Sequence, residues 1–423
     1  MGIIIVFFLM NLTGYAGQKL GVPYPVLARL SFGVFGANVP ALIRAIVAIA
    51  WYGIQTWLAS RAVIIIALRI WPDLASLTTN NFLGESTLGW MAFLFMWTLQ
   101  LLLLRNGMET IRRFQDWAGP AVWVVMLLLT FYILYRLYPL PRQLAHLLQP
   151  ARWGATQAFF AAIALTVTYF STLLLNFCDF SRFAPSRKAV RTANLWGLPA
   201  NFIAFSVVSV VVTAGTFKLY GKHIYDPVEV VGRIDSTVAL LLGAVTFAVA
   251  TLGINVVANF VSPAYDLANV APSRIDFKKG GLISADIALV ITPWNLFSNP
   301  AVIDLFLGGL GALLGPLFAI IMVDFFVLRK QQVVIADPYH ENGYYSYTHG
   351  WNLKAIISFT VSAIPSIILA LVSAFAALAP FSWFIGAGLA SVVHHLISHN
   401  GHDLLASVIA AAQHNDQPET VSS

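Results

Sequence analysis

Ten apolar stretches of about 17–25 residues run through this chain with almost no charge inside them. They fall at roughly 36–60, 88–104, 118–138, 155–178, 196–217, 237–262, 283–298, 302–328, 353–378 and 381–397. No soluble core absorbs so many uncharged runs. A bilayer does, because a helix of about 20 apolar residues crosses its roughly 30 Å hydrocarbon layer with every backbone group bonded internally. The chain is 59% hydrophobic and 10% charged, which removes the soluble globular and disordered classes together. An eleventh run, Gly2–Tyr15, reads as too short, covering roughly 22 Å at about 1.5 Å per residue. No Lys or Arg precedes Lys19, so a signal peptide lacks its basic n-region, and the run reads as the remnant of a truncated helix. The expected fold is an all-α integral membrane protein of about eleven segments.

A formal charge of +6 does not make this a nucleic-acid binder, because the basic residues sit in short loops and follow the positive-inside rule. With the loop after the first run placed in the cytoplasm, fifteen fall inside: Lys19, Arg29, Arg105, Arg112, Arg113, Arg182, Arg187, Lys188, Arg191, Arg274, Lys278, Lys279, Arg329, Lys330 and Lys354. Seven fall outside: Arg69, Arg136, Arg142, Arg152, Lys218, Lys222 and Arg233. The expectation is a multi-pass monomer of the cell membrane with a cytoplasmic C-terminus. Its polar tail, 399–423, is expected to be loose, and the loop Gln331–Gly350 to form a packed cytoplasmic turn. One cysteine, Cys178, excludes an internal disulfide and any multi-cysteine metal site. No His/Cys/Asp/Glu cluster has metal-ligand spacing, no glycine loop could cradle a phosphate, and no nucleophile or acid–base pair appears. Neither an enzyme nor a cofactor is expected.

The stretch Ala45–Ser60, AIVAIAWYGIQTWLAS, carries Gln55 one helical turn after Trp51. Residues four apart share a helix face, so an indole and a carboxamide point the same way inside an apolar segment. A buried amide needs partners, and a flat ring beside a donor–acceptor group suits a small planar heterocycle. The stretch Ala248–Asp266, AVATLGINVVANFVSPAYD, places Asn255 and Asn259 at the same spacing. Aromatic and amide groups on separate membrane helices point to a transporter for a planar, hydrogen-bonding solute. Either amide could equally serve as glue between helices.

The segments GVPYPVLARLSFGVFGANVPALIRA with WYGIQTW, LLLNFCDFSRFA, NVVANFVSPAYDLANV and TPWNLF together resemble the nucleobase–cation symporter-1 family, whose members carry nucleobases, hydantoins and allantoin. The resemblance covers nearly the whole chain. It implies a leucine-transporter-like fold: two five-helix repeats of inverted topology, then two further helices, with substrate near the bilayer midplane where helices are broken. Matched to that pattern, residues 1–154 are the remainder of the first repeat, 155–330 the second, 351–398 the two further helices and 399–423 the tail. The chain then begins inside the family's second helix, without the first, which lines both substrate and cation sites. Little transport is therefore expected of a chain that starts at Met1.

The resemblance also implies roles. Trp51 stacks on the substrate ring and Gln55 bonds its edge. Phe170, preceded by Tyr169, stands where many members place a second tryptophan, at an expected helix break. Asn259 bonds substrate, with Asn255 beside it. The positions that bind sodium in sodium-coupled members are Ala250, Gly253 and Ile254, so both side-chain hydroxyls are absent and proton coupling is favoured. Asp286, Asp304 and Asp324 are the intramembrane acids, expected near helix ends in contact with solvent. Arg44 is expected to snorkel. Asn176, Asp179 and Arg182 read as a structural cap network. The leading expectation is a secondary transporter importing uracil, cytosine, hydantoin, allantoin or a similar ring by alternating access. The alternatives are an inactive or truncated transporter fragment and an amino-acid or amine transporter of the same fold.

Overall fold

A computed structural model describes residues 1–138, 155–225, 227–298, 300–340 and 343–415. Its helices, in chain order, are α1 (Gly2–Leu20), α2 (Tyr24–Phe32), α3 (Asn38–Ile70), α4 (Thr87–Arg105), α5 (Met108–Arg136), α6 (Ala155–Tyr169), α7 (Ser171–Asn176), α8 (Cys178–Ser181), α9 (Arg187–Leu195), α10 (Asn201–Tyr220), α11 (Pro227–Gly232), α12 (Thr237–Asn255), α13 (Val261–Val270), α14 (Phe277–Val290), α15 (Pro293–Phe297), α16 (Pro300–Met322), α17 (Leu353–Leu371) and α18 (Ser382–Asn415). Among the described residues, nine helical spans are long and apolar enough to cross a membrane. A tenth is broken: Thr156–Tyr169 and Ser171–Ser181 meet at 46°. The break falls where the sequence places it, next to Phe170.

Three expectations change. First, α1 is not a stub. It runs for 19 residues and stops at Gly21, whose φ of 69° suits a residue without Cβ. At about 1.5 Å per residue it covers roughly 28 Å, enough for a span. Its polar last turn still packs: Ala16 and Leu20 are buried, and the Lys19 amine donates to the Gln331 carbonyl at 2.6 Å. Gly17 lies so close to α8 that a Cβ there would meet Cys178 Cα at 2.6 Å. Second, 283–298 is two pieces, α14 and α15. They meet at Thr292, whose φ of 45° is costly for a β-branched residue, and Pro293 opens the second piece. The joint is held from outside, because Trp294 and Asn295 both donate to the Leu83 carbonyl, at 2.8 and 2.9 Å. Third, the first part of the tail is helical, since α18 continues to Asn415.

Two buried clusters fill the bundle. One joins α1, α2, the α6–α8 break, α16 and α18. The other joins α4, α5, α10, α12, α13 and α14. Helix α3 contributes to both, with Val47 in the first and Ala45, Ile49 and Tyr52 in the second. At α3 the two halves of the molecule meet, so its faces decide what lies between them.

Buried polar groups near the ends of the spans are tied together. Arg44 does not snorkel: it is fully buried and paired with Asp266, Nη1 to Oδ2 at 3.3 Å. Asp179 accepts from the Tyr24 amide at 2.7 Å and from Asn176 at 3.3 Å, and Asn176 also donates to Ser262. Arg182 bonds the Tyr265 hydroxyl at 2.9 Å. These groups knit α2, α3, the broken span and α13 together. Asp324 is likewise not in contact with solvent. It is buried and bonded to Arg329 at 2.6 Å. Asp286 is exposed. The Asp304 side chain, Arg142, Arg152 and the boundary at 154 lie outside the described residues. The 331–350 segment packs as expected: Tyr345 is buried, and the Tyr347 hydroxyl donates to the Leu30 carbonyl at 2.5 Å. Burial pushes the Tyr347 hydroxyl above the ordinary phenol range, so it keeps the proton it donates.

Candidate functional site

Trp51 lies on the wall of a cavity of about 260 Å³ between α3, the α6–α7 break and α16. Val47, one turn before Trp51, shares that wall. Opposite stand Thr168, Tyr169, Ser171 and Thr172, and Phe306, Leu310 and Leu314 close the third side. A broken span frees backbone groups that a continuous helix would satisfy. Here Ser171 Oγ already donates to the Thr168 carbonyl at 2.6 Å. Thr168 Oγ1 donates to the Ala164 carbonyl at 3.1 Å. The Trp51 indole donates to no described residue.

Gln55 follows one turn along α3. It is half-buried, and its Oε1 is enclosed with no donor among the described residues. Such an oxygen is costly to bury, and it is the kind of group a hydrogen-bonding ligand relieves. Tyr169 stands on the cavity wall with Trp51. Phe170 is turned aside: its ring packs against Phe202 at 5.9 Å and against Tyr169 edge-on at 5.3 Å, and it does not line the cavity.

The two asparagines lie on the other side of α3. Asn255 is fully buried, and its amide nitrogen donates to the Tyr52 carbonyl and Thr56 Oγ1, each at 3.0 Å, and to Gln100 Oε1 at 2.8 Å. Gln100 in turn donates to Thr56 at 2.9 Å. Beside this hub Tyr52 stacks on Phe260, centroids 4.5 Å apart at 21°. Asn259 gives its amide nitrogen to Asn255 Oδ1 at 3.1 Å and sits on the π-helical turn Val256–Phe260. Its own oxygen has no donor among the described residues. The structure thus brings Trp51 and Tyr169 together around one cavity, and gathers Asn255 and Asn259 into a second group across α3.

At the cation positions, Ala250 and Gly253 are buried and Ile254 is 57% exposed. The Gly253 carbonyl accepts from Gln115 Nε2 at 2.6 Å. A Cβ on Gly253 would meet that nitrogen at 3.1 Å, so a serine there would crowd α5. The Gly253 carbonyl is therefore already used, and neither Gly253 nor Ile254 has a side-chain oxygen to offer a sodium ion. Among the described residues no group of three His, Cys, Asp or Glu could hold a metal.

The reading from residue types missed Thr168, Ser171 and Thr172. Their signal is a run of hydroxyls flanking Phe170 in an otherwise apolar span, which marks backbone in need of local partners. It also missed Gln100, a lone amide in α4 that closes the Asn255 hub. A second cavity, of about 390 Å³ and lined by side chains such as Val63, Phe95, Met96 and Leu252, is larger but offers a ligand almost nothing to bond.

A model of the family of permeases for cytosine/purines, uracil, thiamine and allantoin matches residues 1–386. The chain belongs to that family. It is 36% identical over 418 residues to the allantoin permease of Bacillus subtilis, covering 97% of this chain and 84% of that protein. It is 34% identical to the purine-uracil permease NCS1 of Arabidopsis thaliana, over 84% of this chain but 59% of that longer protein. Among solved structures, the nucleobase-cation-symport-1 transporter Mhp1, closed with bromovinylhydantoin bound, superposes with a TM-score of 0.71 at 24% identity, over 93% of this chain and 82% of that one. The fold is that of these transporters, and this permease is a multi-pass membrane transporter rather than an enzyme.

Proposed function

We propose that this permease imports a single small heterocycle with alternating C=O and N–H groups, such as uracil, cytosine, hydantoin or allantoin, by alternating access. The observation that carries the reading is the α3 face itself. Trp51 fronts a cavity at a broken span, and one turn away a buried Gln55 oxygen lacks a donor. An indole face favours a flat ring, and the carboxamide offers a donor and an acceptor to its edge. The cavity is smaller than the roughly 300–1,000 Å³ that hold drug-sized ligands, which suits one ring better than a nucleoside. No charged side chain lines the cavity to pair with the ammonium or carboxylate of an amino acid, and the start of α7 at Ser171 is the one helix start on its wall among the described residues.

Protons fit the driving role better than sodium, because the Gly253 carbonyl is engaged by Gln115 and no hydroxyl stands at 253 or 254. The excess of basic residues on one side supports a cytoplasmic C-terminus in a monomer of the cell membrane. The test is uptake of radiolabelled uracil, allantoin and hydantoin by cells expressing the protein, with Trp51→Ala as control. Competition among these rings at one site, lost in Trp51→Ala, is expected. Uptake indifferent to that substitution overturns the reading.

A further inference from the structure

Helices α9 and α10 form the span with the least protein around it. Among the described residues its apolar window is 11% buried, the smallest share of the nine spans, so most of its surface faces lipid. A π-helical turn, Trp196–Ala200, joins the two helices. Between Arg191 and Lys218 the chain has no charged residue, and Leu195, Trp196, Ile203, Val207, Val210 and Phe217 are exposed along it. From Leu195 to Phe217 a helix rises roughly 33 Å at about 1.5 Å per residue, close to the roughly 30 Å of a hydrocarbon core. This apolar band fixes the depth of what precedes it. Trp196 stands at the hydrocarbon boundary, where an indole is favoured, and the turns of α9 before it stand among the headgroups.

One face of α9 is committed to the protein. Val190 and Asn194 are buried, and the Asn194 amide donates to Asn11 Oδ1 of α1 at 3.0 Å. The other face presents Arg187, Lys188 and Arg191, all exposed, and α9 carries no acid. Two further cations converge on it. Lys19, in the last turn of α1, donates to the Gln331 carbonyl at 2.6 Å, and Arg187 donates to the Gln331 side-chain oxygen. Lys330, also exposed, is the residue before Gln331. Among the described residues no carboxylate pairs with any of these five cations. Elsewhere exposed arginines are neutralised: on α5, Arg112 and Arg113 close on Glu109 and Asp116 at 2.7 to 3.1 Å.

We propose that α9, with the ends of α1 and of the α16 span, is a docking surface for the headgroup of an anionic phospholipid whose acyl chains lie along α10. Unpaired cations at headgroup depth attract a phosphate. The exposed Leu195 and Trp196 beside them select a lipid over a free anion, because only a lipid covers apolar surface. None of these residues lines the Trp51 cavity, so the surface does not depend on which ring is carried.

The test is thermal unfolding of the purified full chain in a neutral detergent, titrated with palmitoyl-oleoyl phosphatidylglycerol, with phosphatidylcholine of the same chains, or with glycerol 3-phosphate. Phosphatidylglycerol should raise Tm by about 3 °C or more, phosphatidylcholine by clearly less, and glycerol 3-phosphate not at all. Lys188→Gln/Arg191→Gln removes two side chains that bond nothing in the described protein, and should raise the half-saturating phosphatidylglycerol concentration about tenfold or more. The control Lys278→Gln/Lys279→Gln, also exposed, should leave it unchanged. In wild type, salt at about 0.5 M should erase the preference for phosphatidylglycerol through screening. Equal stabilisation by phosphatidylcholine or by glycerol 3-phosphate overturns the proposal. So does the same loss in the control pair, which would make the effect one of diffuse charge, and so does a preference that survives salt.

Discussion

The two faces of α3 carry the same kind of sequence and end in opposite states. On one, Val47, Trp51 and Gln55 recur every four residues; on the other, Tyr52 and Thr56 do. The Tyr52 face is closed around the Asn255 amide, though the Tyr52 hydroxyl has no hydrogen-bond partner among the described residues. Its ring stacks on Phe260, and Thr56 joins Gln100 and Asn255 in a hub where the Asn255 amide nitrogen meets three acceptors. The Trp51 face is open, with an indole and a buried amide oxygen that the described protein leaves unbonded. Polar groups in a bilayer are expected to find partners. The Asn255 hub, whose amide nitrogen is bonded on every side, reads as structural, and the unbonded Gln55 oxygen next to a cavity wall is where we propose that the solute binds. That difference, rather than the presence of amides, separates binding from glue.

Trp51→Ala should show the largest effect on binding. Loss of stacking and burial should weaken binding of the transported ring by more than tenfold, about 1.4 kcal/mol or more. Trp51→Phe, which keeps a stacking face, should restore most of it. Competition binding to purified protein reads both. Next comes Asn255→Ala, where the sign of the comparison reverses. Removing the hub leaves Gln100 and Thr56 short of a partner, at a cost of about 1–3 kcal/mol in stability, visible as a lowered Tm with affinity little changed. If Asn255→Ala instead abolished binding at an unaltered Tm, the two faces would have been assigned the wrong way round. Gln55→Ala is smaller. It should weaken binding by about 1 kcal/mol while leaving ligand-free stability level or slightly raised, because the enclosed oxygen has no donor to lose. The smallest effect is expected from replacing sodium with choline at constant pH, which should leave uptake nearly unchanged. A steep, saturable sodium dependence would show that backbone carbonyls and water complete a site around Gly253 despite its bond to Gln115.

Much of this fold is legible in the sequence, because hydropathy speaks for spans and a proline or broken pattern speaks for breaks. The spans lengthen where apolar character tapers: α3 runs to Ile70 through Arg61, and α1 to Leu20 through Gln18 and Lys19. Polar residues in a last turn lower hydropathy without ending a helix, so α1 reads short. The split at Thr292 is hidden for the opposite reason. TPWNLF looks apolar enough to continue, and what breaks it is a left-handed residue held by bonds from Trp294 and Asn295 to Leu83. For the site, one helix face is visible in a 3.6-residue repeat, which is why Trp51 and Gln55 stand out together. Which face meets which helix is not. Arg44 and Asp266, 222 positions apart, pair through packing that no local pattern encodes, as do Arg29 and Asn269. Asn255 and Asn259 illustrate the same limit: a sequence shows two amides on a turn but not whether Gln100 waits opposite.

The central claim is that the Trp51 face binds the solute while the Tyr52 face holds the bundle. Ligand-induced thermal shift on the purified protein tests it most directly, run with saturating uracil, allantoin and hydantoin on wild type, Trp51→Ala and Asn255→Ala. The account predicts a shift in wild type for at least one of these rings, a comparable shift in Asn255→Ala from a lower ligand-free Tm, and none in Trp51→Ala. A full shift in Trp51→Ala, or its disappearance in Asn255→Ala alone, would contradict it.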